Sequence, residues 1–264
     1  MTRIENRFSR GGNAFIPYLT AGDPSLDVTL DLVLGLEKAG ADIIELGVPF
    51  SDPIADGPVI QRATERALAG GVTLQKVLAL GENIRRKSAI PLVLFSYFNP
   101  LLNHGLEKLA TDAVKAGFDG VLASDLTVEE SGPFVRTMRG AGLNTILNTI
   151  FLVAPTSSTE RMKKIAETSS GFLYAVSRTG VTGESQELAG ELKEFLRTLR
   201  KHTKTPIAVG FGISRPEHVR AVWQEADGAI VGSALVKEVE QNIGKPDLAG
   251  RVAAFAAWLK GSPS

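Results

Sequence analysis

The chain has 264 residues, 44% of them hydrophobic and 22% charged, which excludes a disordered protein and is ample for a large core. Lysine and arginine balance aspartate and glutamate at 29 each, so there is no broad basic face for nucleic acid or anionic lipid. No cysteine and only three scattered histidines leave no disulfide, no thiolate nucleophile and no expected metal site.

The first residues, MTRIENRFSRGG, are polar and lack the apolar centre of a signal peptide; no run is long and apolar enough for a membrane span. The expectation is a cytoplasmic protein. Short apolar runs then alternate with amphipathic stretches. The pattern predicts strands at Ala14–Leu19, Asp42–Leu46, Pro91–Phe95, Gly120–Ala123, Thr149–Val153, Gly171–Ala175, Pro206–Gly210 and Gly228–Val231. Helices are predicted at Leu26–Ala39, from Val59, and at Leu74–Arg86, Leu106–Ala116, Glu129–Ala141, Thr159–Glu167, Leu188–Arg200, Pro216–Gln224 and Leu248–Leu259, with a short extra one at Ala234–Val239. Strand–helix alternation of this length predicts an α/β fold, a single (β/α)8 TIM barrel over residues 1–264. An open doubly wound sheet would need a Gly-rich turn after the first strand, and Thr20–Pro24 (TAGDP) is not one.

One local oddity interrupts the pattern. Leu143–Ile146 (LNTI) is repeated at once as Leu147–Ile150. Four is an even number, so either copy enters a strand without turning side chains to the wrong face. The surplus is expected at the N-terminal end of the barrel.

Active sites of such barrels lie at the C-terminal ends of the strands. On the second strand, Ile44 and Leu46 suit the outer, helix-facing side, so Glu45 points inward with Ile43 and Gly47. A carboxyl group there is expected to hold its proton to unusually high pH and to serve as a general acid and base; the alternative is a buried ion pair. The next loop carries Asp52 and Asp56, which taken alone read as an Asx-turn before Pro53 and a helix N-cap, and only in combination with Glu45 suggest an acid–base pair. Glycines follow the last three strands at Gly180 and Gly183, Gly210 and Gly212, and Gly232 with Ser233. Backbone amides in such loops, with a helix N-terminus behind them, form a phosphate cup. Tyr18, Phe95, Tyr97, Leu122, Tyr174, Phe211 and Ile230 stand near strand ends, where they line a pocket or simply pack the barrel.

At Glu45–Pro58 (ELGVPFSDPIADGP) the sequence closely resembles tryptophan synthase α subunits. The likeness continues through Phe15–Pro24, Val128–Ser131, Phe151–Thr156, Ser177–Gly183, Gly210–Ser214 and Val231–Ala234, in order along nearly the whole chain. The resemblance implies a barrel lyase that cleaves indole-3-glycerol phosphate to indole and glyceraldehyde 3-phosphate. It implies no cofactor of its own, and a β-subunit partner, carrying pyridoxal phosphate, in an α-β-β-α assembly. It also implies catalytic roles for Glu45, Asp56 and Tyr174 and an indole pocket of Tyr18, Ile60, Phe95, Leu122 and Phe211. The phosphate would be held by Gly183, Gly210, Gly212, Gly232 and Ser233. Two features depart from the family pattern: Thr127 stands where a proline is usual, in a loop facing the partner, and the LNTI repeat is extra. A stand-alone lyase releasing free indole shares every one of these motifs. A sugar-phosphate isomerase or decarboxylase would want a catalytic lysine or aspartate pair at strand ends, and none stands out.

Overall fold

A computed structural model describes residues 1–140, 147–176, 186–210 and 212–261. Its strands are β1 (Ala14–Thr20), β2 (Ile44–Gly47), β3 (Leu92–Ser96), β4 (Gly120–Ala123), β5 (Asn148–Ile150), β6 (Leu152–Val153), β7 (Leu173–Val176), β8 (Ile207–Gly210) and β9 (Gly228–Val231). The helices are α1 (Arg3–Ser9), α2 (Leu26–Lys38), α3 (Pro58–Ala69), α4 (Leu74–Arg85), α5 (Phe98–His104) and α6 (Leu106–Lys115). They continue as α7 (Gly132–Arg139), α8 (Thr159–Thr168), α9 (Gln186–Arg200), α10 (Pro216–Glu225), α11 (Ser233–Asn242) and α12 (Leu248–Lys260).

All strand pairs are parallel, in the order β5-β4-β3-β2-β1-β9-β8-β7-β6. The two ends of that order, β5 and β6, are separated along the chain by Phe151 alone. The sheet therefore closes on itself. Asn148–Ile150 pairs with β4, Leu152 and Val153 pair with β7, and the Tyr174 amide donates to the Phe151 carbonyl at 3.1 Å. The nine strands are thus the eight staves of a (β/α)8 barrel, as the strand–helix alternation predicts, with the fifth stave in two pieces.

Alternation along each strand divides the apolar residues into two cores. Ile44, Leu46, Leu94, Val121 and Val209 face outward and pack against the helices. Ile16, Ile43, Val93, Leu122, Ile150, Phe172 and Ile230 fill the lumen. Helix starts are set locally. Ser25, Thr73 and Ser158 accept hydrogen bonds from the amides of Val28, Lys76 and Arg161, and proline opens α3 and α10.

Two helices lie outside the predicted set, α1 and α5. α1 closes the floor of the barrel: Ile4 enters the lumen and Phe8 packs on Phe172 with ring centroids 6.0 Å apart. Its start is a capping box between Thr2 and Glu5. The Thr2 hydroxyl donates to Asn148 Oδ1 at 2.6 Å, and Asn148 Nδ2 donates to Glu5 Oε1 at 3.2 Å. Asn148 belongs to the second copy of the repeat, so that copy enters the sheet and meets the floor. The first copy, Leu143–Ile146, lies outside the described residues.

Since the second copy alone supplies β5, deleting Leu143–Ile146 leaves both its strand register and its contacts to α1. Turnover is expected within about 3-fold of the parent, because the floor of such a barrel serves stability rather than chemistry. Steady-state kinetics of the deletion variant checks this; a large change in turnover would place the repeat at the working end.

Candidate active site

The opposite end of the barrel opens into a cavity of about 590 Å³. One wall is apolar: Tyr18 from β1, Phe95 from β3, Val59 and Ile60 from α3, Leu152 from β6, Tyr174 from β7 and Ile230 from β9. The Tyr18 and Phe95 rings meet edge to face, 5.4 Å apart. The other side is lined by Gly210, Gly212, Gly232, Ser233 and Ala234, with Lys237 one turn further along α11. Gly212 has φ +66°, a conformation glycine adopts without strain. Gly232 is the N-cap of α11, and its carbonyl accepts from the Leu235 and Val236 amides at 2.9 and 3.1 Å. Ser233 and Ala234 line the cavity, and their amides, as first-turn donors, have no partner within the helix. An anion fits this end.

Two glycines leave room for the tyrosine rings. A side chain at Gly47, the last residue of β2, would overlap the Tyr18 hydroxyl, and one at Gly210 would overlap that of Tyr174. Burial raises the pKa of both phenols, and the neighbouring Glu45 carboxyl adds to the rise.

Glu45 points into the lumen, on the face shared with Ile43, and is 0% exposed. It forms no ion pair and neither carboxyl oxygen has a hydrogen-bond partner among the described residues. Desolvation alone pushes its pKa up to about 8. It does not line the cavity surface; Tyr18 and Tyr174, which do, are its titratable neighbours.

Asp56 lines the cavity at the entrance to α3. The helix N-cap is Gly57, with no side-chain cap bond, so the Asp56 carboxylate is not spent on capping. Burial raises its pKa and a hydrogen bond with the Tyr97 side chain opposes the rise. Tyr97 also accepts the Ala55 amide at 2.9 Å and packs against Phe50, with ring centroids 5.3 Å apart, so it moors the loop rather than lining the cavity. Asp52 is turned to solvent, where it accepts from the Ser51 hydroxyl at 2.6 Å.

The sequence matches the family described as tryptophan synthase alpha chain over residues 4–258. A tryptophan synthase alpha chain of Geobacillus kaustophilus is 51% identical over 93% of this chain and 92% of its own length. That of Solibacter usitatus is 48% identical over 98% and 97%. The chain belongs to the tryptophan synthase α chain family. Among solved structures, tryptophan synthase subunit alpha from Legionella pneumophila superposes with a TM-score of 0.88 at 37% identity, over 98% of both chains. A tryptophan synthase complex from Pyrococcus furiosus matches with 0.85 at 38% identity, over 94% of this chain and 98% of that one. Family membership makes the protein an enzyme, a lyase of tryptophan biosynthesis.

Of the residues singled out in the sequence, Tyr18, Asp56, Ile60, Phe95, Tyr174, Gly210, Gly212, Gly232 and Ser233 surround this one cavity. Leu122 does not reach it: paired in register with Phe95, it is fully buried in the lumen core. Gly183 and Phe211 lie outside the described residues. Ser124, Leu152 and Lys237 line the cavity without having been anticipated. Leu152 follows the Phe151 break, and Lys237 repeats the helical face of Ser233 four residues on, a spacing that could have flagged it. Among the described residues there is no cluster of three or more potential metal ligands, and no helix is long and apolar enough to cross a membrane.

Proposed function

We propose that this chain cleaves indole-3-glycerol phosphate to indole and glyceraldehyde 3-phosphate by a retro-aldol reaction. The observation that carries the reading is the buried Glu45 carboxyl, held near pKa 8 beneath a cavity with an apolar wall at one end and unpaired helix amides at the other. The indole ring lies against Tyr18, Ile60 and Phe95. The phosphate dianion meets Gly212, Gly232 and Ser233; the family resemblance adds Gly183 and Gly210 to that end and Phe211 to the indole end.

Protonation of indole C3 by Glu45 makes an iminium-like ring that can accept the electrons of the adjacent carbon–carbon bond. Asp56 accepts a hydrogen bond from the ring N–H and stabilises the positive charge developing there. As the bond breaks, its electrons return to the ring. The 3′-hydroxyl gives its proton to the Glu45 carboxylate, and that carbon leaves as the aldehyde. One carboxyl group near neutrality performs both transfers, and Tyr174 stands beside the reacting carbons. Glu45 has no hydrogen bond to break in turning toward the cavity, so that rotation meets no polar penalty.

The chain itself uses no cofactor in this reading. A β subunit carrying pyridoxal phosphate consumes the indole within an α-β-β-α assembly in the cytoplasm, and the Pyrococcus furiosus complex supports a partnered arrangement. The Asp52–Asp56 loop and the loop of Thr127 face that partner. Indole release by the purified chain should be weak, and rise at least ~10-fold when a cognate β subunit is added, a coupling of about 1.4 kcal/mol. Full release alone, unchanged by the partner, would identify a stand-alone lyase. No indole release in either case would refute the substrate assignment.

The phosphate end is tested separately. Gly212→Asp places a negative charge and a side chain where amides meet the dianion, at a backbone φ of +66°. Glycerol 3-phosphate should raise the melting temperature of the parent and leave that of the variant unmoved from its own ligand-free value. Equal shifts would take Gly212 out of the site.

A further inference from the structure

Both α3 and α11 start at the cavity and pack side by side. Their facing residues form three layers, one per helical turn. Nearest the mouth, Ile60 of α3 and Ser233 and Ala234 of α11 line the cavity. One turn deeper, Ala63 and Val236 form a small apolar cluster with Tyr18. One turn deeper again, Arg66 of α3 bridges two partners. Its Nε and Nη2 donate to Asp23 Oδ1 and Oδ2 at 2.7 and 2.8 Å, and its Nη1 donates to Glu240 Oε1 of α11 at 2.8 Å. Arg62 adds a second fork onto Glu240, with both bonds at 2.8 Å. The Asp23 side chain is 2% exposed, and among the described residues Arg66 is its only cationic partner.

The layers differ in what they can specify. The middle layer is a methyl group against a branched aliphatic, an attraction without direction that tolerates sliding. The ionic layer is built of planar forks with fixed approach geometry. It also includes Asp23, three residues beyond the end of β1, and so refers both helices to the barrel. The spacing between α3 and α11 is the spacing between the Val59–Ile60 part of the apolar wall and the anion-facing helix terminus.

We propose that Arg66 and Glu240 are positioning residues that fix the span between the two ends of the cavity, so that one ligand engages both at once. This rests on the substrate reading above. A substrate with an aromatic ring at one end and a phosphate at the other gains from the second contact only when the two subsites are the right distance apart. Loosening the clamp should leave each subsite's own affinity in place and remove the gain from joining them. A residue that merely kept the fold together would not show that split.

The experiment is calorimetric titration with three ligands: indole, glycerol 3-phosphate, and intact indole-3-glycerol phosphate in a Glu45→Gln background that slows turnover. Glu240→Gln keeps the size of the side chain and removes its charge while sparing the Arg66–Asp23 fork. Arg66→Lys keeps a cation against the buried Asp23 but not the fork. In both variants the Kd of the intact substrate is expected to rise at least ~10-fold, with the Kd of each fragment changing less than about 2-fold. Unchanged binding of the intact substrate overturns the proposal. So does a parallel loss for all three ligands, which would mark the clamp as general support. A parent that binds neither fragment overturns the substrate reading itself, and the clamp with it.

Discussion

Replacing Glu45 by glutamine is expected to lower kcat by about 10²–10⁴ and leave KM nearly unchanged. The substitution keeps volume and polarity at a fully buried position and removes only the titrating proton. The same variant gives a second, independent readout. The folded-state pKa of about 8 lies above the ordinary carboxyl value of 4.5, so the folded protein binds the extra proton more tightly than the unfolded chain. Stability from this source is therefore fully present below about pH 4.5 and is lost as pH rises through about 8. Between those limits the parent should lose a few kcal/mol relative to the glutamine variant, whose buried amide never has to ionise. Denaturant unfolding of both proteins at pH 5, 7 and 9 measures it. Parallel pH dependences would mean that Glu45 does not carry a displaced proton; near-normal turnover would move the acid–base role to another group.

How far the sequence reaches depends on whether a feature is local. Period-two alternation over Ala41–Gly47 is enough to turn Glu45 inward, because Ile44 and Leu46 have to meet the helices, and in the structure they do. The depth of an inward residue is another matter. Leu122 and Phe95 both face the lumen, yet only Phe95 reaches the cavity. Which layer a residue occupies follows from the stagger between neighbouring strands, and alternation within one strand carries no information about it. The break at Phe151 is equally non-local: it arises where one stave changes partner from β4 to β7 as the barrel closes. α1 escaped because it offers only Ile4 and Phe8 as an apolar stripe, too short to register as periodicity, although its Thr2–Glu5 capping box is written in the sequence. α5 has no such sign: its N-cap Tyr97 makes no side-chain cap bond, and Pro100 lies near its start. The anion-facing end was legible for a different reason. Glycines at strand ends followed by a helix leave a chemical signature that does not depend on packing, and Gly212, Gly232 and Ser233 do share one cavity edge.

Asparagine at Asp56 should lower kcat by about 10²–10³, the scale set by removing one preorganised electrostatic partner of a developing charge. The loop around it is already built: Ala55 donates to the Tyr97 hydroxyl at 2.9 Å, the Asp56 amide donates to the Pro53 carbonyl at 3.1 Å, and Gln61 Nε2 donates to the Asp56 carbonyl at 2.9 Å. None of these bonds uses the carboxylate, and the N-cap of α3 is Gly57. The carboxylate's own hydrogen bond is with the Tyr97 side chain, and an amide oxygen can accept it in the same place, so the melting temperature should stay within about 2 °C of the parent. What the amide cannot supply is negative charge opposite the indole nitrogen when C3 is protonated. Binding of glycerol 3-phosphate, which reaches only the far end of the cavity, should be unaffected. Indole release, a thermal melt and a glycerol 3-phosphate titration on the same preparation separate the two readings of this residue. If the melt drops while turnover holds, Asp56 is structural. If turnover drops while the melt and the phosphate titration hold, its carboxylate acts on the ring nitrogen, as its place on the cavity wall suggests.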